Sequence, residues 1–227
     1  MTRSDLPVLL IVFNRPDLTE LAPDAIRAAK PRVLFVAADG PREGNERDAE
    51  LCAATRRVIE KVDWPCELVR NFADQNLGCG RRPATAISWA LGFTEHLMIM
   101  EDDCVPHPSS FRYCAELLER YADDARVMHI GCTNFRHRDP RAQYSYRFSK
   151  YPHGVCWATW KRAWNLYDYD MIGWPSYKTS RAFGEHCRDA IEKVAREQSL
   201  AVKAVAMAPA ATSVKKPRVG LYRSWTA

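Results

Sequence analysis

No apolar run in the 227-residue sequence approaches the roughly 20 residues that a bilayer-crossing helix needs; Leu6 to Phe13 stops at Asn14-Arg15 after a strand's length. The opening Met1-Thr2-Arg3-Ser4-Asp5 carries one Arg and one Asp and leads into too short an apolar stretch for a secretory signal, so cytoplasmic residence is the expectation. The eight cysteines, at positions 52, 66, 79, 104, 114, 132, 156 and 187, include no Cys-x-x-Cys pair to supply a zinc corner and read as reduced, mostly buried thiols. A dense basic face is missing too. The net charge of +5 is modest and spread along the chain, which argues against nucleic acid and for an anionic small ligand such as a nucleotide diphosphate. Peripheral contact with a membrane surface is left open by the same charge. No Gly-x-Gly-x-x-Gly opens the first helix and no Gly-Lys-Ser/Thr loop exists, so dinucleotide dehydrogenases and P-loop ATPases fall away.

What is present is alternation. With 47% hydrophobic and 27% charged residues, the chain has enough apolar mass for one domain of substantial size. Leu6 to Phe13 (LPVLLIVF) is a continuous apolar run, the pattern of a strand buried on both faces. Helical spacing of Leu18, Leu21, Ile26 and Ala29 follows, with Pro23 placing the helix start near Ala22 or Pro23. Arg32 to Ala38 repeats the strand, and Glu46 to Val62 repeats the helix, with Leu51, Thr55, Val58 and Val62 along one stripe. Cys66 to Asn71 predicts a third strand, Pro83 to Phe93 a helix with proline in its first turn, and His96 to Met100 a fourth strand. The spacing then predicts a helix over Ser109 to Tyr121, a strand over Val127 to Cys132, and a short aromatic helix over Gly154 to Trp164 with Trp157, Trp160 and Trp164 on one face. Glu185 to Arg196 reads as a helix, while Ala201 to Ala227 shows neither periodicity nor turn chemistry. The expected division is a main domain over 1–184 and a C-terminal helix with a poorly specified tail over 185–227.

Strands alternating with helices imply parallel pairing through right-handed crossovers, an α/β fold whose ligands sit beyond the carboxyl ends of the strands. Four polar loops fall there: Asn14-Arg15-Pro16-Asp17, Asp39-Gly40, Asn76 to Arg82, and Glu101-Asp102-Asp103. Three consecutive carboxylates repel one another, and the cluster becomes tolerable when a hard cation shares the site. Oxygen ligands with open positions suit Mg²⁺ or Mn²⁺, which would bridge to a pyrophosphate and neutralise the charge that develops as it leaves. The competing reading is a solvated loop with one Asp capping the next helix. Arg81 and Arg82 either face a phosphate at a helix start or form a solvated basic turn. Asp39-Gly40-Pro41 is either a ligand contact or an ordinary turn. Trp157 is either core or the lining of a sugar or acceptor pocket beside Gly154. His107, His129 and His153 lack ligand spacing and are assigned no role.

Together the segments IVFNRPD, AADGPR, NLGCGRR and MIMEDDCVPHPSSF resemble bacterial GT-A glycosyltransferases of the family 2 type and, more remotely, the N-acetylglucosaminyltransferase I family. The likeness runs from about Leu6 to Pro175, and the acidic triplet with its spacing from Asp39-Gly40 is its most specific part. It implies a GT-A (Rossmann-like), mostly parallel central sheet flanked by helices. It also implies metal-dependent transfer of a sugar from a nucleoside diphosphate donor, with uridine favoured, to a hydroxyl on a glycan, lipid or small molecule. By the same resemblance Arg15 and Asp39 would hold the diphosphate side and the base, with Asn14, Gly40, Asn76, Gly78, Arg81 and Arg82 in the surrounding donor loops. Asp103 would be the metal ligand, Asp102 a partner of the ribose hydroxyls or of metal-bound water, and Glu101 a contact to the donor sugar.

An inverting transferase needs a general base within hydrogen-bond reach of the acceptor hydroxyl. Asp168, Asp170 and Glu185 are the candidates. The family commonly places a Trp-Asp type segment further downstream, where this chain has Arg223-Ser224-Trp225-Thr226-Ala227. Two other readings therefore stand beside sugar transfer. One is a truncated or divergent nucleotide-sugar-binding domain with little or no turnover. The other is a nucleotidyltransferase, although the IVFNRPD loop lacks the glycine run that such enzymes place near the amino terminus.

Overall fold

The apolar run that opens the sequence becomes β1 (Val8–Val12), with every residue buried. The structure, a computed structural model, describes residues 4–133, 145–186 and 219–223. Three strands join β1 in parallel: β2 (Val33–Ala38), β3 (Glu67–Phe72) and β4 (His96–Glu101). Val12 stands opposite Ala38, Ala38 opposite Phe72, and Ile11 opposite Glu101, so the carboxyl ends of all four finish along one edge. The other described strands are β5 (Val127–Gly131), β6 (Tyr146–Ser149), β7 (Trp157–Trp160) and β8 (Val219–Arg223), and one sheet runs β3-β2-β1-β4-β7-β5-β8-β6. Only β7 and β6 oppose the common direction. The fold is an α/β, Rossmann-like, mostly parallel sheet flanked by helices.

Alternate side chains of β1 feed two cores, as the period of a strand dictates. Val8, Leu10 and Val12 pack with α2 (Leu21–Arg27), α3 (Glu46–Ile59) and α5 (Ser109–Arg120) through Ile26, Ile59 and Leu117. Leu9 and Ile11 pack on the opposite face with Ala86, Ile87 and Ala90 of α4 (Gly78–Ala90). Right-handed crossovers explain this division: the chain moves outward from β1 to β3 over one face and returns to β4 over the other. Each fully buried leucine or isoleucine contributes about 1.5–3 kcal/mol, which lets the central strands hold like charges close together at their ends.

Gly154 to Trp164 is not one aromatic helix. It forms β7 followed by the single turn α6 (Lys161–Trp164). The indole spacing suits a helical face, but all four residues of WATW are buried, and a strand between β4 and β5 buries both of its faces. Trp160 accordingly packs on the α5 side, donating its indole N–H to the Leu118 carbonyl at 3.0 Å, while Trp157 and Trp164 lie in the other core. α4 starts at Gly78, whose φ of +79° suits glycine, and not at Pro83, which falls inside the helix. Val219–Arg223, expected to be featureless, pair with β5 and β6. The expected helix over Glu185 to Arg196 falls mostly outside the described residues; α7 (Trp174–Lys178) and α8 (Arg181–His186) precede that stretch. Among the described residues no helix is long and apolar enough to cross a membrane.

Candidate functional site

The strand order reverses at β1: the chain steps to β2 and β3 on one side, then to β4 on the other. In open α/β sheets ligands bind in the crevice outside the carboxyl ends of the strands at such a switch point. Two of the loops singled out from the sequence flank it, Asn14-Arg15 after β1 and Glu101-Asp102-Asp103 at the end of β4.

Arg15 precedes the short helix α1 (Pro16–Thr19) and spans two of the carboxylates. Its Nε donates to Asp102 Oδ2 at 3.3 Å, its Nη2 donates to Asp102 Oδ1, and its Nη1 donates to Asp103 Oδ2 at 3.1 Å. Asp102 is only 2% exposed. Burial pushes its carboxyl above the usual range, while Arg15 and the Phe13 backbone N–H pull the other way. Desolvation at the strand end, then repulsion from Asp103 and Asp102, raises Glu101 as well. Partial desolvation works against Arg15, yet its bonds to Asp102 and Asp103 keep it above its ordinary value. Two carboxylates thus share one guanidinium, which acts on Glu101 only through space.

Among the described residues no group of three His, Cys, Asp or Glu side chains is arranged to hold a metal. The residues fit a different kind of site. Mg²⁺ is commonly held by one or two carboxylates, with phosphate oxygens and water filling the rest of its shell. Asp103 is the carboxylate suited to that, with a half-exposed side chain whose Oδ1 meets only the Cys104 thiol, at 3.7 Å.

Asp39 follows directly after β2, and it is 4% exposed. Both of its oxygens are engaged: Oδ1 accepts the Gly40 and Leu77 N–H groups at 2.9 Å each, and Oδ2 accepts the Gly78 N–H at 3.1 Å and Asn76 Nδ2 at 3.0 Å. The structure therefore brings Asp39, Gly40, Asn76 and Gly78 together as a knot that ties the start of α4 to β2. Gly40 has no substitute there, because a Cβ would fall 2.5 Å from the Gln75 backbone. Arg82 turns inward and is 4% exposed, giving Nη1 to the Asn71 side chain at 3.0 Å and Nη2 to the Asn71 carbonyl. Burial lowers its pKa, and nearby Asp39 opposes that shift. Arg81 points outward, its guanidinium 5.5 Å from the ring centre of Tyr169.

Asn14 reaches away from the acidic triplet and donates to Asp48 Oδ1 at 2.8 Å. Asp48, absent from the sequence-derived site, also takes Arg42 Nε at 2.5 Å. In the sequence it resembles an ordinary first-turn acid, since its own N–H is capped by Asn45. Arg42, and then Asn14, hold its carboxyl down at about 2. A depressed acid stabilises the fold above its ordinary value of 3.8, and that contribution is lost as pH falls toward about 2. Thermal melts across that window are expected to show a smaller fall in Tm for Asp48→Asn than for the wild type; equal slopes would remove Asp48 from the acid response.

Of the candidate bases, Asp168 accepts the Gly173 N–H at 3.3 Å, and Asp170 is exposed. Between them Tyr169, which the sequence reading passed over, lies on the first turn of α4, so close that a Cβ at Gly80 would stand 3.1 Å from its hydroxyl. Glu185 accepts from Arg181 at 2.8 Å on α8. Trp157 is buried in the core and stacked on His129 with ring centres 4.6 Å apart. Complete burial pushes that imidazole down to about 3, so it stays neutral.

No protein-family model matches the sequence, and no curated protein matches it. In backbone shape the chain is similar to parts of several solved structures. One is a mannosyltransferase from Pyrobaculum calidifontis in complex with GDP-Man and Mn²⁺, 20% identical with a TM-score of 0.48; the match covers 71% of this chain, which spans 46% of that protein's length. A second is a cytidylyltransferase from Leptospira borgpetersenii, 11% identical with a TM-score of 0.43, covering 86% of this chain and 74% of the other. A third is a 4-diphosphocytidyl-2C-methyl-D-erythritol synthase from Anaerococcus prevotii, 10% identical with a TM-score of 0.40, covering 78% of each chain. These likenesses concern the course of the backbone at low identity, and the site rests on its own geometry.

Proposed function

We propose that the crevice between β1 and β4 binds a nucleoside diphosphate sugar, with uridine as the nucleoside, together with Mn²⁺ or Mg²⁺, and that the protein transfers the sugar to a hydroxyl acceptor in the cytoplasm. One arrangement carries the reading: Arg15 clasps Asp102 and Asp103 at the carboxyl ends of adjacent parallel strands, where the strand order reverses. In this reading Asp103 would be the residue that holds the divalent ion beside the donor diphosphate. The bound ion supplies neutralisation of the leaving diphosphate. Asp102, buried and hydrogen-bonded by the Phe13 N–H, holds Arg15 beside the crevice independently of Asp103, so the guanidinium would be available to the donor phosphates. The Asp39 knot acts at one remove, holding the first turn of α4 at the rim. Asp168 or Asp170 is the proposed general base, since Tyr169 between them lies on that same turn; Glu185 is engaged by Arg181.

Calorimetric titration with UDP, with and without Mn²⁺, followed by UDP release from a panel of UDP-sugars, tests the proposal. Mn²⁺-dependent binding with UDP release is the expected result. Mn²⁺-dependent binding without release would leave a donor-binding domain in place of a transferase, and no binding of UDP would sink the uridine donor.

A further inference from the structure

A cavity of about 590 Å³ lies between the outer side of α4 and the segment 161–169, on the face opposite α5. Its volume is that of a small-molecule site, for which about 300–1,000 Å³ is usual. The chemistry of its walls is specific. Arg81 lines it at the start of α4, and Lys161 lines it where the chain leaves β7; among the described residues no Asp or Glu lines it. Lys161 is only loosely matched by exposed Glu95 at 3.5 Å. The walls of the cavity therefore carry two cations, with Glu95 outside them and Asp168 and Asp170 beyond its Tyr169 end.

Between the cations lie aromatic rings and a polar rim. Trp164 is locked by its indole N–H, which donates to Ser88 Oγ at 2.8 Å, and it is stacked on Tyr167 with ring centres 4.2 Å apart. Thr85 Oγ1 spends its proton on the carbonyls of Arg81 and Arg82, at 3.0 Å each, and so turns lone pairs outward. Asn165 adds an exposed amide. A sugar ring has apolar C–H faces and a rim of hydroxyls, which matches the half-buried Tyr167 ring, backed by the buried Trp164 and bordered by a hydroxyl and an amide.

We propose that this cavity binds an acidic saccharide, a sugar carrying a carboxylate or a phosphate, as the outer part of the acceptor. The word acceptor rests on the transferase reading; the binding does not. The Arg81 end leads to Tyr169, flanked by Asp168 and Asp170, so a saccharide lying along α4 directs its far end to the proposed bases and to the turn that Asp39 ties to the crevice.

Calorimetry on the full chain tests the proposal with three probes: glucose 1-phosphate, a disaccharide containing glucuronic acid, and neutral maltose. Each is repeated on Lys161→Gln and Tyr167→Ala, with UDP and Mn²⁺ titrated alongside. At least one acidic probe is expected to bind, and the pair separates phosphate from carboxylate as the anion. Lys161→Gln is expected to weaken that probe about ten-fold, the usual scale for losing one charged hydrogen bond, without changing UDP binding. Tyr167→Ala is expected to weaken it as well, and Lys161→Gln decides alone if the tyrosine variant does not fold. Binding of neither acidic probe by protein that binds UDP overturns the proposal, as do equal binding of maltose or unchanged affinity in Lys161→Gln. An acidic probe that binds to protein with no affinity for UDP keeps the cavity and removes the donor reading instead.

Discussion

Asp39→Ala is expected to lower stability by about 3–5 kcal/mol, the usual scale for removing one partner from a buried charged network. Asp39 is buried, and its two oxygens satisfy three backbone N–H groups and the Asn76 amide. Alanine would leave the three backbone N–H groups without that acceptor, while Asn76 would keep the Gly40 carbonyl, and each orphaned buried donor costs about 1–3 kcal/mol before any relaxation. It would also strip the nearby buried cation Arg82 of its closest compensating charge. Asp39→Asn would keep the shape but turn an N–H₂ toward N–H donors, so it is expected to recover only part of the loss. Urea unfolding of the three proteins checks this. A loss below about 1 kcal/mol for the alanine variant, the level of an exposed ion pair, would mean the knot is dispensable and the carboxylate is free for a nucleoside.

The carboxyl edge of the sheet was legible because continuous apolar runs are hard to misplace. LPVLLIVF and HLMIM read as buried strands, and the polar residues that stop them must stand at the strand ends; the sequence alone therefore puts Arg15 and the acidic triplet at one rim. What a residue at that rim faces was not legible. Arg82 and Arg81 are neighbours on one helix turn, yet one is folded against Asn71 and the other lies over Tyr169, because a helix rotates about 100° per residue and only the packing decides which side is inner. The tryptophans at 157, 160 and 164 fit a helical stripe as well as a buried strand and a turn, and only the gap between β4 and β5 chooses the strand. The pairing of β8 with β5 joins residues some 90 positions apart, beyond the reach of any local pattern. The sequence predicts reduced, mostly buried thiols at the cysteines. Those among the described residues are free, but Cys114 and Cys132 meet at 3.3 Å, a convergence no spacing rule would find.

Asp103→Ala is expected to abolish the dependence of UDP binding on Mn²⁺, a loss of about a hundred-fold or more, since removing even an outer-shell partner of a metal costs about 10–100-fold. The same substitution is expected to leave the melting temperature nearly unchanged, because the side chain is 48% exposed and its ion pair with Arg15 is of the surface kind, worth about 0–1 kcal/mol. Asp102→Ala supplies the contrast. Asp102 is buried beneath Arg15 and hydrogen-bonded to the backbone, so its removal is expected to lower the melting temperature and to release Arg15 from the crevice. The two variants separate the holding of a cation from the holding of the loop. Loss of Mn²⁺ dependence in Asp103→Ala alone, with loss of stability in Asp102→Ala alone, is the pattern this division of roles requires. Retained Mn²⁺ dependence in a well-folded Asp103→Ala protein would take the ion off Asp103, and the proposed division of labour between the neighbouring carboxylates would fail with it.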